Sequence, residues 1–484
     1  MGENEANLLA VDGSNGSISA MSQSTVESYG VSTIPESERT AKASSIIPVF
    51  LGSNMALSVM VFGWLSIIYG LSWWQSVSAI LVGTIVAALF VSSSALLGWT
   101  GATNNSVASG AIFGVRGRLI ASFVGLLLCI QYVALTIWTG GEIIASGWAR
   151  LTSGKVTDGL LVFGYLIIAA ATVAFAILGY RYLVKLNNVI VYAMYGLALL
   201  SIFALSSSFD SNYAGAPDLY ALGTFWPTWF LAVLTCGAAG PVSLVTQSGD
   251  WTRYVSSGAT KMSIVRSTFI AMSIGLAVPT LFGAFVAVAA FDEESFVAGY
   301  VAGAPSWLLI PLLLIGFIGS LGQGSVNLYS MGLDMDAILP RISRLQSTLL
   351  VSVIATTLVF LGKFLYDAEA AVTNACLFLT ALGTAWIAIA LSGYIRMGRN
   401  FHKEDLQVFN DRKNGGIYWY QGGWNIRATI AWVVGSICGV LGVSSVDYTG
   451  PIANALGGVD VSVVAPAVVG VLLYWILDRK PIRA

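Results

Sequence analysis

Twelve apolar runs, each long enough to cross a bilayer, leave this chain few folds to choose from. They fall at about 46–70, 72–97, 118–149, 158–179, 185–207, 225–249, 264–291, 305–332, 345–362, 370–395, 424–444 and 460–478. At 1.5 Å per helical residue, about 20 apolar residues cover a hydrocarbon core of roughly 30 Å. Lipid offers no partner to a backbone N–H or C=O, so apolar runs of this length fold as helices. Of the 484 residues, 56% are hydrophobic and only 10% charged, against about 25% charged in a soluble domain. The expected class is all-α and polytopic, with twelve transmembrane helices.

The charges set an orientation. With the N-terminus inside, the even-numbered loops and both tails hold 20 of the 23 Lys and Arg residues; Arg150, Lys155 and Lys363 are the exceptions. That bias predicts cytoplasmic termini and insertion in the plasma (inner) membrane. A net charge of −1 gives no basic footprint for nucleic acid. Cys129, Cys236, Cys376 and Cys438 are scattered through apolar runs without metal-ligand spacing, and His402 is the one histidine. No metal or organic cofactor is expected, and no catalytic cluster of the kind an enzyme needs occurs in the spans. Residues 1–45 are polar and read as a disordered cytoplasmic tail. The connection at 98–117 has room for a short interfacial helix ending at FGVRG. The aromatics Tyr418, Trp419 and Tyr420 read as an interfacial anchor.

One stretch breaks the apolar pattern. In GAAGPVSLVTQSGDWTRY (237–254), Gly237, Gly240 and Pro241 interrupt the sixth run. Ser243, Thr246 and Gln247 follow, and Asp250 and Arg253 end it. Proline lacks a donor and crowds the preceding turn. Such a helix in lipid is either a buried kink or the lining of a cavity, and interrupted helices mark substrate sites in secondary transporters. The first run carries Gly52, Ser53 and Asn54 at a comparable place, five helices earlier. The pairing suggests two inverted repeats, 46–207 (helices one to five) and 225–395 (six to ten). Helices eleven and twelve (424–478) and a short cytoplasmic C-terminus (479–484) follow.

Six stretches in order carry a resemblance: FLGSNMALS (50–58), FGVRG (113–117), QYVALTIWTGGE (131–142), GDWTRY (249–254), GQGSVNLYSMGLD (322–334) and GGWNIRATIAW (422–432). Together they resemble the nucleobase–cation symporter family, the purine–cytosine permeases and their allantoin and hydantoin relatives. The resemblance implies a five-plus-five inverted repeat of leucine-transporter type plus two C-terminal helices. It implies a symporter that carries a flat heterocycle with a cation between helices one, three, six and eight; the protein is expected to be a monomer in the lipid. Tyr132 matches the aromatic that stacks on the ring, and Thr136, one turn on, the polar residue that bonds it. Pro241, beside Gly240, stands where the family has a second aromatic, which is a departure. Asn327 matches an asparagine that bonds the heterocycle, with Gln323 one turn earlier. Asn54 and Ser243 complete the candidate substrate set.

The candidate coupling residues are Glu142, Ser53, Ala56 and Ser320. Sodium-dependent relatives use two helix-eight hydroxyls where this chain has Leu321 and Gly322, with Ser320 and Ser325 out of register. Sodium is a hard cation that wants several oxygens, so the expected ion is a proton, with sodium as the alternative. Glu142 reads as the one acid well inside a span and hence as the leading carrier. The competing reading makes it interfacial or paired with Arg150. Asp250, beside Arg253, reads as an intracellular gate or structural pair. A facilitator or channel for a small neutral solute is the rival to a symporter.

Overall fold

The computed structural model describes residues 29–177, 180–238, 243–290, 295–339, 342, 344–365 and 368–478. The chain folds as helices α1 (Ile47–Asn54), α2 (Leu57–Ile68), α3 (Trp73–Gly101), α4 (Leu119–Leu151), α5 (Asp158–Ile177), α6 (Tyr180–Leu205), α7 (Phe225–Ala232) and α8 (Ser248–Thr252). These are followed by α9 (Lys261–Ala289), α10 (Phe296–Gly303), α11 (Leu309–Ile338), α12 (Arg344–Leu365), α13 (Ala368–Arg396), α14 (Ile426–Leu441) and α15 (Val464–Leu477). Among the described residues eight helices are long and apolar enough to cross a membrane, and α1 with α2 makes a ninth span bent by 63°. Shorter apolar helices, Phe225–Cys236, Ile426–Leu441 and Val464–Leu477, lie at the sixth, eleventh and twelfth runs.

The break between α1 and α2 follows from its residues. Asn54 Nδ2 donates to the Phe50 carbonyl at 2.8 Å, and Ser53 Oγ reaches the same carbonyl at 3.4 Å. Polar side chains that bond the backbone one turn back compete with the helix ladder. Met55 leaves the helix at φ −79°, ψ 67° and Ala56 is extended at φ −132°, ψ 153°. The Ala56 carbonyl then accepts from Val59 and Met60 and starts α2. The sixth run is interrupted too. Helix α7 passes into a wide π turn over Val233–Ala238. The chain is described again from a single 3-10 turn at Ser243–Val245, followed by α8. Gly240 and Pro241 lie outside the described residues, as does the side chain of Ser243.

Small residues let the helices close on one another. A Cβ on Gly63 would sit 1.7 Å from the Thr280 carbonyl oxygen, and one on Gly283 would sit 1.8 Å from that of Met60. Helices α2 and α9 therefore touch backbone to backbone, the usual way apolar helices gain contact where no hydrophobic force separates protein from lipid. The most extensive interface joins α11 to α4. Helix α11 runs six residues past the expected end at 332, to Ile338. This brings Asp334, 4% exposed, inside the helix. Glu142 is thus not the one acid within a span.

At the arginine-rich end the chain before α1 is folded. Val31, Ile34 and Arg39 are buried, in a stretch expected to belong to a disordered tail. Arg39 donates to the carbonyls of Arg253 (3.2 Å) and Trp99 (2.9 Å), and Ala41 pairs with Val255 in a parallel bridge. The 98–117 connection holds two short buried helices, Asn105–Ala108 and Gly110–Phe113. The aromatics of the 399–423 loop fold back onto this connection. Tyr418 is fully buried, Tyr420 donates to the Ala111 carbonyl, and Trp419 lies under the Arg116 guanidinium. They clamp one loop to another where an interfacial anchor was expected.

Candidate functional site

A small cavity lies where the α1–α2 break faces α4, α9 and α11. Its lining is Ser53, Asn54, Val59, Tyr132, Leu244, Leu276, Gln323, Val326 and Asn327. The break is what makes the polar part possible, because it turns Ser53 and Asn54 inward at mid-bundle. Among the described residues, none that lines it carries a charge. Three amides and one phenol ring are set among aliphatic side chains, a composition suited to a neutral ligand with donors and acceptors at its edge.

The amides are tied into a network. Gln323 Oε1 accepts from Thr136 Oγ1 at 2.8 Å and from Ser58 Oγ. Thr136 also lies 2.7 Å from the Tyr132 carbonyl, so its single proton is shared between two acceptors. Asn327 Nδ2 donates to the Gln323 carbonyl at 3.0 Å, and Asn327 Oδ1 accepts from Gln247 Nε2 at 3.2 Å. Gln247 also donates to Cys129 Sγ at 3.1 Å. Tyr132 is backed by Phe62 of α2, ring centroids 6.4 Å apart and tilted by 54°, and its hydroxyl bonds the Cys376 thiol.

The structure brings some of the candidate residues together at this cavity and leaves others away from it. Tyr132, Asn54, Gln323 and Asn327 meet at the cavity, and Ser53 joins them. Thr136 is absent from the lining; it acts on Gln323. Ser58 and Gln247 were not among the candidates. Ser58 follows Asn54 by four residues, and only the extended turn at Ala56 shows which way it faces.

With this geometry in hand, comparison with known proteins is decisive. The family model described as permease for cytosine/purines, uracil, thiamine, allantoin matches residues 33–464. The chain belongs to this permease family. It is 24% identical over 473 residues to the putative purine-cytosine permease YxlA of Bacillus subtilis, covering 95% of this chain and 97% of that protein. It is 23% identical to the purine-cytosine permease FCY2 of Saccharomyces cerevisiae, covering 89% of this chain and 81% of the relative. Among solved structures it is similar to Mhp1, a nucleobase-cation-symport-1 family transporter, in a closed conformation with bromovinylhydantoin bound. The TM-score is 0.72 at 18% identity, over 94% of this chain and 96% of the other. The inward-facing conformation of Mhp1 gives a TM-score of 0.70 at 16% identity, over 96% of each chain. The fold is thus the leucine-transporter type, and the protein is a transporter, not an enzyme.

The candidate coupling residues of the permease are not all brought together. Ser320 Oγ bonds the Gly316 carbonyl at 2.6 Å and faces Gly140 of α4. The residues of α11 that approach the break are Gly319, beside the Met55 carbonyl and Ala56, and Gly322, beside the Gly52 carbonyl. Ser325 bonds the Leu321 carbonyl of its own helix. The break thus offers backbone carbonyls without a facing hydroxyl from Ser320 or Ser325. Glu142 is buried and paired with Lys363 of α12 at 2.5 Å, not with Arg150. Asp334 accepts a 2.8 Å bond from Ser106 and lies near Asp250.

Proposed function

We propose that the protein is a secondary active symporter that imports a neutral flat heterocycle, a nucleobase or an allantoin- or hydantoin-type relative, by alternating access. The observation that carries this is the cavity lining: three amides and an aromatic from helices that meet at a broken span, with no charged side chain. A neutral ring needs no countercharge, and an aromatic face contributes about 1–3 kcal/mol per stacked base in nucleic-acid proteins. Two relatives in yeast are thiamine transporters. Thiamine is a cation, and the lining offers it no carboxylate, so an uncharged base suits this cavity better. Substrates of Mhp1 and of the purine-cytosine permeases fit the same description. The 20-to-3 partition of Lys and Arg supports a plasma-membrane protein with both termini in the cytoplasm.

The proposed coupling ion is a proton. Support comes from the α1–α2 break, which faces Gly319 and Gly322 where a sodium site would want hydroxyls. Glu142 remains the first candidate carrier. Protonating it would leave Lys363 without its partner, whereas Asp334 takes a single hydrogen bond from Ser106 among the described residues. Asp334 is therefore the second candidate.

The test is uptake by cells expressing the protein. Labelled cytosine, uracil, adenine, hypoxanthine and allantoin are offered in turn, and the others serve as unlabelled competitors. Uphill accumulation of at least one is expected; equilibration without accumulation would make the protein a facilitator. Accumulation should rise as external pH falls and collapse with a protonophore. It should be indifferent to replacing sodium with potassium; dependence on sodium at fixed pH would overturn the proton assignment. Glu142→Gln should abolish accumulation while sparing exchange. If it still accumulates substrate and Asp334→Asn does not, the carrier is Asp334.

A further inference from the structure

We propose that Ser58 and Thr136 are positioning residues that fix which end of the Gln323 amide meets the substrate, and so determine the hydrogen-bond polarity the cavity selects. The inference rests on the heterocycle reading above and goes further, to the device that chooses among heterocycles. A side-chain amide offers an acceptor oxygen with two lone pairs and a donor NH2 with two protons. Its last torsion is broad and roughly two-fold, so either end can face a site unless neighbours decide.

Here the neighbours decide. Gln323 Oε1 accepts from two hydroxyls, Ser58 of α2 and Thr136 of α4, the Thr136 proton being shared with the Tyr132 carbonyl. Gln323 Nε2 makes no hydrogen bond among the described residues, and Gln323 lines the cavity. The arrangement therefore presents a donor from α11. Asn54 of α1, which also lines the cavity, is held the other way round. Its Nδ2 is bound to the Phe50 carbonyl, with Met272 Sδ at 3.8 Å, and Oδ1 is left as an acceptor. The cavity thus offers a donor from α11 and an acceptor from α1, each polarity set by protein hydrogen bonds. A ring placed by Tyr132 must put an acceptor toward Gln323. Adenine and hypoxanthine invert donor and acceptor at ring N1 and the six-substituent, and cytosine and uracil do so at N3 and the four-substituent. A fixed amide should discriminate within such pairs, because a mismatched edge leaves two buried groups facing like with like.

The experiment measures binding of these four bases to the purified full-length protein by ligand-induced thermal stabilisation. The wild type should prefer one member of at least one pair by about tenfold or more. In Ser58→Ala/Thr136→Val the amide is free to turn. The preference should shrink by about fivefold or more, and it should do so because the poorer base binds better. A merely structural role would weaken both members together, and that outcome overturns the proposal. A second arm needs only one substitution. Gln323→Glu keeps an oxygen toward the hydroxyls and replaces the donor with an acceptor, so it should bind the preferred base more weakly than Gln323→Ala does. Tighter binding by Gln323→Glu would mean that the oxygen faces the cavity, and would also overturn the proposal. Binding of both pairs without preference in the wild type overturns this inference alone. Failure of all four bases and of allantoin to bind overturns the heterocycle reading and the inference with it.

Discussion

At the scale of single residues, the cavity shows polar groups serving one another before they serve a ligand. Asn327 gives one amide proton to Gln323 and its oxygen to Gln247, which leaves one proton for substrate. Asn327→Ala removes that donor and takes from Gln247 one of its two acceptors, leaving Cys129. Loss of one buried partner costs about 1–3 kcal/mol, so affinity should fall about 5- to 150-fold. Unchanged affinity in folded, inserted protein would take Asn327 out of the site. Tyr132→Phe should be milder than Tyr132→Ala if the ring face is what counts, and equal losses in binding would show that the hydroxyl matters instead. Tyr132, Gln323 and Asn327 were picked out in the chain by its resemblance to the permeases, helped by their standing at mid-span, where lipid or helix contact would favour aliphatics. Gln247 stood out only as one polar residue of the interrupted sixth run, and Ser58 not at all, because each lies just past a helix break, where the 3.6-residue period no longer says which way a side chain points.

At the scale of elements, what the sequence specified best was the succession of apolar helices, because hydropathy alone sets it. Helix ends were set less well. Helix α11 continues through Asp334 because that carboxyl is buried against Ser106, a contact no local pattern encodes. The breaks are the other element-level feature. Gly52, Ser53 and Asn54 announced the first, and the structure shows its mechanism in two side chains that capture the Phe50 carbonyl. Between the breaks the bundle depends on backbone contact. A methyl group on Gly283 would overlap the Met60 carbonyl oxygen, and neither backbone can yield without moving a helix. Gly283→Ala should therefore force α9 away from α2 and disturb the helix that carries Ser58. The expected cost is about 1–3 kcal/mol, as for overpacking elsewhere. It should appear as a lower melting temperature of the purified protein and weaker base binding. An unchanged melting temperature would mean that α2 and α9 can slide apart freely.

At the scale of the whole molecule, the arginine-rich end is closed by the segment before α1. Residues 29–41 lie across α3, α8 and the Lys403–Gln407 helix. Arg253 donates to the Gly30 carbonyl, Thr103 and Gln407 donate to that of Val31, and Arg39 reaches the carbonyls of Trp99 and Arg253. The alternating access proposed above requires this end to open, so the strap should resist any state open at the arginine-rich end. Two of its attachments differ in kind. Arg39 is buried and hydrogen-bonded to backbone, so Arg39→Ala should loosen the strap strongly. Glu36 is half exposed and meets Arg39 and Lys403 at 2.9 Å each. Exposed pairs contribute little, so Glu36→Gln should loosen it only slightly at neutral pH. Lys403 chiefly holds the Glu36 carboxyl from its ordinary 4.5 down to about 2; burial, the next largest effect, opposes it, and Ser257 and Arg39 add to the lowering. A carboxylate with a depressed pKa stabilises the docked strap fully above about 4.5, and that contribution is lost as pH falls toward about 2. The measurement is the rate at which a thiol reagent applied from the arginine-rich side labels a cysteine placed at Ser106, which is fully buried in the 98–117 connection. Labelling should be slow in the wild type, fast in Arg39→Ala, and close to wild type in Glu36→Gln at pH 7. Between pH 4.5 and 3 the thiolate fraction falls alike in every variant, so the informative quantity is the wild-type rate relative to Glu36→Gln. That ratio should rise toward one as Glu36 becomes protonated. Equal labelling of wild type and Arg39→Ala at pH 7 would show that the strap does not hold this end shut.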